Sequence, residues 1–430
     1  MDRRDFFKLA GIAGLAVTGP GIRYARADEQ NPEPTEPPGD ENPYGPLFIQ
    51  VQAVGGWDPT MLCDPKYSLG TSYDGTGTTA GNIAYTPFGQ QWTTFFETNY
   101  QRMVVINGVD IQTNNHDAGR RHMASGRLGE GHPNLAALVA GFQAPHLPIA
   151  FLSFGGYEAT SGVVAPTRDI DRDRLAGIIY PDRLDPTGDA SPLYHSETTR
   201  GLIGIARDAR AKRIRQQTQL PKLGQSMDSL LTTRLGSGQL RRLEELLPTL
   251  GANGEEARVQ LAIAAYRAGV GTAVNFARGG FDTHTNHDSR HGQAMGDLLK
   301  LINFIWKTVD EAGIAHRVVM LITSDFGRTP TYGGKGYNGN MGKDHWPISS
   351  MIVVSGLKEF QGNRMVGYTD TGFSPVALDP ETLLPAGEGV DGVRIRPEHV
   401  HRNLRNLMGM TGHALDDRFA ITPEHDLKLF

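Results

Sequence analysis

Carboxylate and imidazole side chains recur in this sequence directly after short apolar runs. The motifs are Gly-Gly-Trp-Asp at 55–58, Gly-Gly-Phe-Asp-Thr-His at 279–284, Thr-Ser-Asp-Phe-Gly-Arg at 323–328 and Asp-His-Trp at 344–346. If the apolar runs are parallel strands, these side chains meet at one edge of a sheet, where α/β proteins place their ligands. Mixed sets of carboxylates and imidazoles bind Zn²⁺ and Mn²⁺. The pattern therefore predicts a site for one or two divalent ions, most simply Zn²⁺ or Mn²⁺.

The candidate metal ligands are the carboxylates and imidazoles of these motifs: Asp58, Asp282, His284, His287, Asp325 and His345. The density of Asp282, His284 and His287 within one short loop favours a metal site over an ordinary polar loop. Asp58, after two glycines, is equally what a turn or a helix cap uses, and Asp325 could cap a turn. We expect His291 to lie at the surface or behind the ligands.

The polar stretch after the apolar run 103–109 adds candidates for catalysis. Its chemistry-bearing residues are His116, Asp117, Arg120, Arg121, His122 and Ser125. His116 could bind the metal or carry a proton, and an arginine could hold an anionic ester oxygen; a solvated helix start is the alternative. Arg328, just past Asp325, is another candidate anion clamp. The predicted catalytic set is His116, Asp58 and Arg328; Asp58, Asp325 and His116 are expected either to hold a second ion or to position the attacking water.

The first 27 residues have the order of a signal peptide. Arg3-Arg4-Asp5-Phe6-Phe7-Lys8 precedes an apolar run over 9–17 and a small-residue cleavage site at Ala25-Arg26-Ala27. The paired arginines indicate the twin-arginine export machinery as a partner. At about ten residues the apolar run is shorter than the roughly 20 residues that span a bilayer. We therefore expect cleavage after Ala27, no stable membrane span and a periplasmic or secreted protein; an uncleaved anchor is the alternative.

The composition argues against an internal disulfide and against nucleic-acid binding. The chain has one cysteine, Cys63, and so no internal disulfide. A formal net charge of -5 and a pI near 6.3 give no basic surface for nucleic acid.

The pattern along the chain predicts a disordered linker over 28–46 and one large α/β domain over 47–430. The predicted parallel strands are 47–54, 103–109, 149–154, 270–276, 317–323 and 350–354, and the helices between them include 133–142, 255–268 and 293–309. This alternation predicts a doubly wound, mainly parallel sheet flanked by helices. The segment 157–253 has no strand pattern and two helical stretches, 201–217 and 239–247, and reads as a helical insertion or cap.

The ordered motifs behind a twin-arginine signal resemble the bacterial family called domain of unknown function 1501. That family belongs to the alkaline phosphatase-like superfamily, alongside sulfatases and cofactor-independent phosphoglycerate mutases. The resemblance covers nearly the whole chain, including the closing pattern over 393–408. It implies that Asp282, His284 and His345, with His287, form one metal site. It also implies that Asp58 is the first-strand metal aspartate and that Asp325 belongs to a second site.

Two departures from the superfamily matter for activity. Its active members usually carry a second ligand histidine after the strand-end aspartate, and here Phe326 stands in that place. The nucleophilic Ser or Thr is expected at the position of His116, which carries no hydroxyl. Thr60, Thr113 and Ser125 are possible replacements.

The resemblance therefore implies an exported, metal-dependent hydrolase of a small phosphate, sulfate or related anionic ester. The alternative is a catalytically degenerate, alkaline phosphatase-like protein that binds a ligand or a partner at the cell surface.

Overall fold

The structure is a computed structural model. It describes residues 42–188, 191–220, 223–224, 227, 237–247, 254–335 and 341–430. The predicted signal peptide over 1–27, with its cleavage site, and the linker as far as 41 lie outside the described residues. The end of the predicted linker has fixed contacts, because the Asn42 amide donates a hydrogen bond to the carbonyl of Tyr266 at 2.7 Å. The linker is therefore shorter than predicted at this end.

The chain divides into two compact units. The first unit comprises Met1–Gly45, of which 42–45 are described, with Ala140–Ser153 and Thr160–Ala273. The second unit comprises Pro46–Val139, Phe154–Ala159 and Val274–Phe430. Almost all of the predicted insertion over 157–253 thus lies in the first unit.

Strands and helices alternate along much of the chain. The strands are β1 Leu47–Ala53, β2 Thr78–Ala80, β3 Ile83–Tyr85, β4 Met103–Asp110, β5 Phe151–Phe154, β6 Pro166–Arg168, β7 Ala273–Arg278, β8 Val318–Ser324, β9 Gly327–Arg328, β10 Gly333–Lys335, β11 Met341–Gly342, β12 His345–Trp346, β13 Ile348–Ser355 and β14 Arg364–Val366. The α-helices are α1 Gln90–Asn99, α2 His116–Ser125, α3 Leu135–Gln143, α4 Arg172–Ile179, α5 Glu197–Gln217, α6 Ser237–Leu246, α7 Glu255–Arg267, α8 His287–Glu311, α9 Pro397–Leu407 and α10 Ala414–Arg418.

The sheet of the second unit has the strand order β14-β4-β13-β8-β1-β7. β1 pairs in parallel with β8, and β14 pairs in parallel with β4. The predicted α/β class is confirmed, and all six predicted strands are present. β13 is antiparallel to both β4 and β8, so the predicted parallel orientation of 350–354 is wrong. The physical reason is that, in the part of 325–347 that the structure describes, no crossover helix follows β8; the short strands β9 to β12 lead the chain into β13 from the edge where β8 ends.

The core of the second unit is supplied by strands and one long helix. Every residue of β1 and of β8 is buried, as expected for central strands of a parallel sheet. Helix α8 buries a stripe of apolar side chains at helical spacing, which includes Met295, Leu298, Ile302 and Ile305. The helix begins at His287, six residues before the predicted start. His291 therefore lies inside the helix and is buried, contrary to the surface position allowed for it.

The first unit is largely helical. Its helices α5 and α6 contain the two helical stretches predicted for the insertion. β5 pairs in parallel with β6, so the prediction that this segment holds no strand is wrong. With three residues beginning at Pro166, β6 is too short to show an alternating pattern. Among the described residues, no helix is both long and apolar enough to cross a bilayer.

Candidate metal centre

The loops that follow β1, β7 and β8 carry the predicted motifs and meet in the second unit. Gly55 and Gly56 have φ of +121° and +83°, a region that favours glycine. A Cβ on Gly55 would lie 2.5 Å from the amide nitrogen of Asp282, so glycine lets these two loops touch. The Gly55 N–H donates a hydrogen bond to Asp325 Oδ2 at 2.9 Å. The first loop thereby fixes the carboxylate at the end of β8.

Asp282, His284 and His345 form the centre of the site. Asp282 Oδ1 lies 2.9 Å from His284 Nε2 and 3.2 Å from His345 Nε2, and the two imidazole nitrogens are 3.2 Å apart. The Asp282 side chain is 48% exposed and that of His345 is 25% exposed, so a small molecule could reach them. His116 joins this cluster, because its Nε2 lies 3.7 Å from Asp282 Oδ2.

The donor set fits a divalent metal ion. Ligand atoms about 2.0–2.1 Å from a tetrahedral ion lie about 3.3 Å from one another, close to the three separations in this triangle. The ligand atoms of His116, Asp282 and His345 also lie within 4.8 Å of one another. Both sets share Asp282 and His345. The triangle with His284 has the shorter edges, so we take it as the primary ligand set.

Electrostatics favour the metal-binding forms of Asp282 and His345. Although burial raises it, the pKa of Asp282 is lowered to about 2 by the hydrogen bond and the charge of Arg328, with help from His345 and His284. Burial lowers the pKa of His345, and Arg328 and His116 lower it further. An ionised carboxylate and a neutral imidazole are the ligand forms of these side chains.

Each imidazole is oriented from behind by a second partner. His284 Nδ1 lies 2.8 Å from Asp344 Oδ1, and His345 Nδ1 lies 2.9 Å from the carbonyl of Asn114. Such outer contacts fix which ring nitrogen is free to bind a metal. The glycine at 342 permits the approach of this loop, because a Cβ there would clash with the carbonyl of His284.

His116 and Asp325 form a hydrogen-bonded pair at the edge of the cluster. His116 is the first residue of α2, and its Nδ1 lies 2.9 Å from Asp325 Oδ2. Asp325 is fully buried, caps no helix, and its Oδ1 has no hydrogen-bond partner among the described residues. Arg120 Nε lies 3.5 Å from that oxygen. Gly119 allows α2 to pack against the end of β8, because a Cβ there would clash with the carbonyl of Asp325.

Arg328 has a different role from the predicted anion clamp. Its side chain is fully buried. The guanidinium donates hydrogen bonds to the carbonyls of Gly55, Gly56 and Lys343, and to Asp282 Oδ1 at 2.6 Å. With its donors engaged by the protein, Arg328 holds Asp282 and ties three loops together. Arg120, whose side chain is 27% exposed and whose Nε makes no hydrogen bond to the described residues, lies beside Asp325.

Asp58 and His287, which were predicted as ligands, lie together in a separate buried network. Asp58 accepts a hydrogen bond from the amide of Thr60 and so caps the short helix Pro59–Met61, as the alternative reading of the sequence allowed. His287 Nε2 lies 3.1 Å from Asp58 Oδ2, and both side chains are fully buried. Neither residue contacts the imidazoles of His284 or His345 at hydrogen-bond distance.

The hydroxyl groups considered as nucleophiles form hydrogen bonds elsewhere in the structure. Thr60 Oγ1 donates to Asp58 at 2.7 Å. Ser125 Oγ donates to the carbonyl of Arg121 at the far end of α2, and Thr113 Oγ1 accepts from the amide of Asn115. Phe326 packs its ring against His116 and His345, with centroids 4.7 Å and 4.4 Å apart.

Two residues near the site were missed by the sequence reasoning. Lys343 Nζ and the Tyr73 hydroxyl both lie 2.7 Å from Asp58 Oδ2. Lys343 directly precedes Asp344 and His345, and that adjacency was the available signal. Nothing in the sequence around Tyr73 connects it to Asp58.

Comparison with known proteins gives a family match and remote structural similarities. Residues 196–380 match the family model described as "Protein of unknown function (DUF1501)". This confirms the predicted family resemblance over that segment. The sequence matches no curated protein.

The similar solved structures all have low sequence identity. Ps i-CgsB in complex with k-i-k-neocarrahexaose is 7% identical, with a TM-score of 0.38, over 88% of this chain and 74% of that chain. The alkaline phosphatase from the Antarctic bacterium TAB5 is 13% identical, with a TM-score of 0.32, over 75% and 94%. The phosphonate monoester hydrolase of Agrobacterium radiobacter is 13% identical, with a TM-score of 0.28, over 74% and 70%.

Proposed function

We propose that this chain, whose residues 196–380 match the DUF1501 family, is a metal-dependent hydrolase of a small anionic ester, either a phosphate or a sulfate ester. We further propose that it works in the periplasm or outside the cell after twin-arginine export. The observation that carries the proposal is the triangle of Asp282 Oδ1, His284 Nε2 and His345 Nε2, with edges of 2.9, 3.2 and 3.2 Å.

In this proposal, Asp282, His284 and His345 hold one divalent ion, either Zn²⁺ or Mn²⁺. When bound, such an ion supplies Lewis-acid polarisation of an ester oxygen and offsets negative charge that builds up on it. Arg328 holds Asp282 in place by a hydrogen bond, and Asp344 holds His284 in place in the same way.

In this proposal, His116 Nε2 takes a proton from the attacking water and returns it to the oxygen of the leaving group as the ester bond breaks. When His116 Nδ1–H donates to Asp325 Oδ2, the Nε2 lone pair faces the cluster and can accept a proton. The buried Asp325 holds the ring in this orientation and stabilises the imidazolium that forms, as a carboxylate does behind a catalytic histidine. General acid–base catalysis of this kind contributes about 10²- to 10⁴-fold to rate.

Arg120 binds the anionic group of the substrate. Its side chain is 27% exposed and its Nε lies 3.5 Å from Oδ1 of the buried Asp325, so the guanidinium remains in place between turnovers. A planar guanidinium forms paired hydrogen bonds with phosphate or sulfate oxygens. The charge of the ester therefore helps to select the substrate.

Asp282→Asn tests the proposal directly. The variant keeps the shape of the side chain but loses the charge that a metal requires, so we expect loss of both the bound ion and turnover. The measurements are elemental analysis and hydrolysis of 4-nitrophenyl phosphate and 4-nitrophenyl sulfate. Asp297→Asn, which removes an exposed carboxylate paired with Arg278, is the matched control and should leave both unchanged. Unchanged ion content and turnover in Asp282→Asn would sink the assignment.

A second candidate function is ligand binding without catalysis. It is favoured by Phe326, whose buried ring fills space between His116 and His345 instead of offering another polar group. The two functions differ in one readout. A binding protein would hold the ion and be stabilised by phosphate or sulfate, but would not turn over either chromogenic ester.

A further inference from the structure

A buried ion pair joins Asp58 to Lys343 in the second unit. Both side chains have no solvent exposure, and Lys343 Nζ lies 2.7 Å from Asp58 Oδ2. A buried charge is costly unless it is paired and hydrogen-bonded, so both the carboxylate and the ammonium group need hydrogen-bond partners. The surrounding side chains supply them.

The Asp58 carboxylate is saturated by donors from the chain itself. Oδ1 accepts from the amide and the hydroxyl of Thr60, at 2.9 Å and 2.7 Å. Oδ2 accepts from the Tyr73 hydroxyl and from Lys343, both at 2.7 Å, and lies 3.1 Å from His287 Nε2. A carboxylate offers about four lone-pair positions, so five donors leave no room for another ligand.

The histidines beside Asp58 are engaged as well. Thr283 Oγ1 lies 2.8 Å from His287 Nδ1 and 3.2 Å from His291 Nδ1. His291 Nε2 accepts a hydrogen bond from the amide of Asp58 at 2.9 Å. Both ring nitrogens of each imidazole therefore have partners, so neither His287 nor His291 offers a free nitrogen to an ion.

The ammonium group lies in a small polar and aromatic cage. Besides Asp58, Lys343 Nζ has the Thr60 hydroxyl at 3.4 Å and the rings of Tyr73 and Tyr332 with centroids at 5.3 Å and 5.9 Å. The faces of aromatic rings attract cations. The cage thus presents a carboxylate, a hydroxyl and two ring faces to one positive charge.

The backbone of Lys343 connects this pair to the metal ligands. Its N–H donates to the carbonyl of Thr283 at 3.2 Å, and its carbonyl accepts from Arg328 at 3.0 Å. His284 follows Thr283, and His345 lies two residues after Lys343. Lys343 is thus joined through its backbone to the segments that carry both imidazoles.

We propose that the Lys343 ammonium is a built-in cation that takes the place of a second metal ion beside Asp58. The chain then holds one divalent ion, at Asp282, His284 and His345. Lys343 is a positioning residue for two of the three ligands. The single-ion part of this inference rests on the proposed function, whereas the ion pair does not.

The first test counts ions. Elemental analysis should find one divalent ion per chain in the wild type and also in Asp58→Asn, because Asp58 is not a ligand. Two ions per chain in the wild type, falling to one in Asp58→Asn, would overturn the inference. No ion in the wild type would overturn both the single-ion assignment and the proposed metal-dependent function.

The second test isolates the ion pair in chelator-treated protein. Lys343→Met and Asp58→Asn should each lower Tm, because each leaves one buried charge or polar group without its partner. The double variant should recover part of that loss, since it removes both charges. Losses that simply add in the double variant would contradict the pairing, whether or not the protein binds an ion or hydrolyses an ester.

The third test measures the positioning role by calorimetric titration of the stripped protein with Zn²⁺ or Mn²⁺. Lys343→Met should weaken binding about 10- to 100-fold, as expected when a group that orients the ligands is lost. Lys66→Met removes another lysine–aspartate pair, with Asp64, and is the matched control that should keep wild-type affinity. Wild-type affinity in a folded Lys343→Met variant would overturn the positioning role.

Discussion

At the scale of single residues, Asp325 combines full burial with an incomplete set of hydrogen bonds. Oδ2 accepts from Gly55 and pairs with His116, whereas Oδ1 has only the longer contact with Arg120. A buried polar atom without a hydrogen bond is costly and is common where a protein binds or reacts with something. In the proposed function, Asp325 therefore orients His116.

Asp325→Asn separates an orienting role from a ligand role. The amide keeps the shape but weakens the hold on His116 Nδ1–H, so kcat/KM should fall about 10²- to 10⁴-fold while one ion stays bound. Steady-state hydrolysis and elemental analysis on one preparation check this. Asp117→Asn, one residue after His116 and exposed, is the control. Loss of the ion in Asp325→Asn would instead make Asp325 a ligand.

Sequence reasoning located the strand-end carboxylates but could not group them. The grouping of Asp282, His284 and His345 came from the family resemblance, and the structure places these three side chains together. The sequence could not predict that Asp58 forms an ion pair with Lys343, because this contact joins residues 285 positions apart. The position of a residue at a sheet edge fixes where its Cα lies. Which neighbouring side chain it contacts depends on the packing of the folded chain.

At the scale of elements, close backbone contacts hold the site together. β11 and the loop that carries His284 touch at Gly342, and α2 and β8 touch at Gly119. At both places a side chain would have to occupy the position of a carbonyl oxygen. The distances between ligands are therefore set by backbone contacts as well as by side-chain hydrogen bonds.

Gly342→Ala should displace β11 from the carbonyl of His284 and open the triangle of ligands. We expect metal affinity to fall at least about tenfold, because small ligand displacements weaken a metal site strongly. Gly204→Ala is the matched control: it lies in α5 with no atom within 4 Å of the added Cβ, and should stabilise the helix by about 0.5–1 kcal/mol. Calorimetric titration and thermal melting measure both; unchanged affinity in Gly342→Ala would show that the loop adapts.

Most of the strand and helix pattern was predictable from the sequence, whereas orientation was not. Apolar runs such as 318–322 predict strands, because a strand that is buried on both faces of a sheet needs apolar side chains at every position. The reversal of β13 was hidden, since its own residues are as apolar and β-branched as those of β8. The start of α8 was misplaced because polar residues, including His287 and His291, fill its first turns while still facing the interior.

At the scale of the whole molecule, stability should depend on pH through a buried histidine. His401 is fully buried on α9, and its Nε2–H donates to the carbonyl of Met123 at 2.9 Å. Burial lowers the pKa of His401 to about 3, although the hydrogen bond to Met123 opposes this. Between pH 6.5 and pH 3 the imidazole of His401 binds a proton in the unfolded chain but stays neutral in the folded protein. The stability is therefore complete above pH 6.5 and is lost as pH falls toward 3.

From pH 7 to pH 5 this single group should lower the free energy of unfolding by about 2 kcal/mol. His401→Gln keeps a donor for the Met123 carbonyl but cannot titrate, so its loss over the same interval should be smaller by that amount. Denaturant unfolding at both pH values measures the difference. His316→Gln, at an exposed position, should follow the wild type; equal slopes in all three proteins would contradict the assignment.

The export prediction concerns the full chain. Replacing Arg3 and Arg4 together by lysine should retain the protein in the cytoplasm, because the twin-arginine machinery recognises the arginine pair. Cell fractionation measures this, and mass spectrometry of the exported protein should find Asp28 as the first residue. Export that is unaffected by the double substitution would require another route.

Because Lys343 is part of the chain, metal starvation cannot remove the positive charge beside Asp58. A chelating environment could strip the single divalent ion and leave the loop that carries His284 and His345 still anchored. Reloading would then need only one ion to diffuse in, with no refolding of the loop. A lysine in this place makes one positive charge of the site independent of the metal supply of the surroundings.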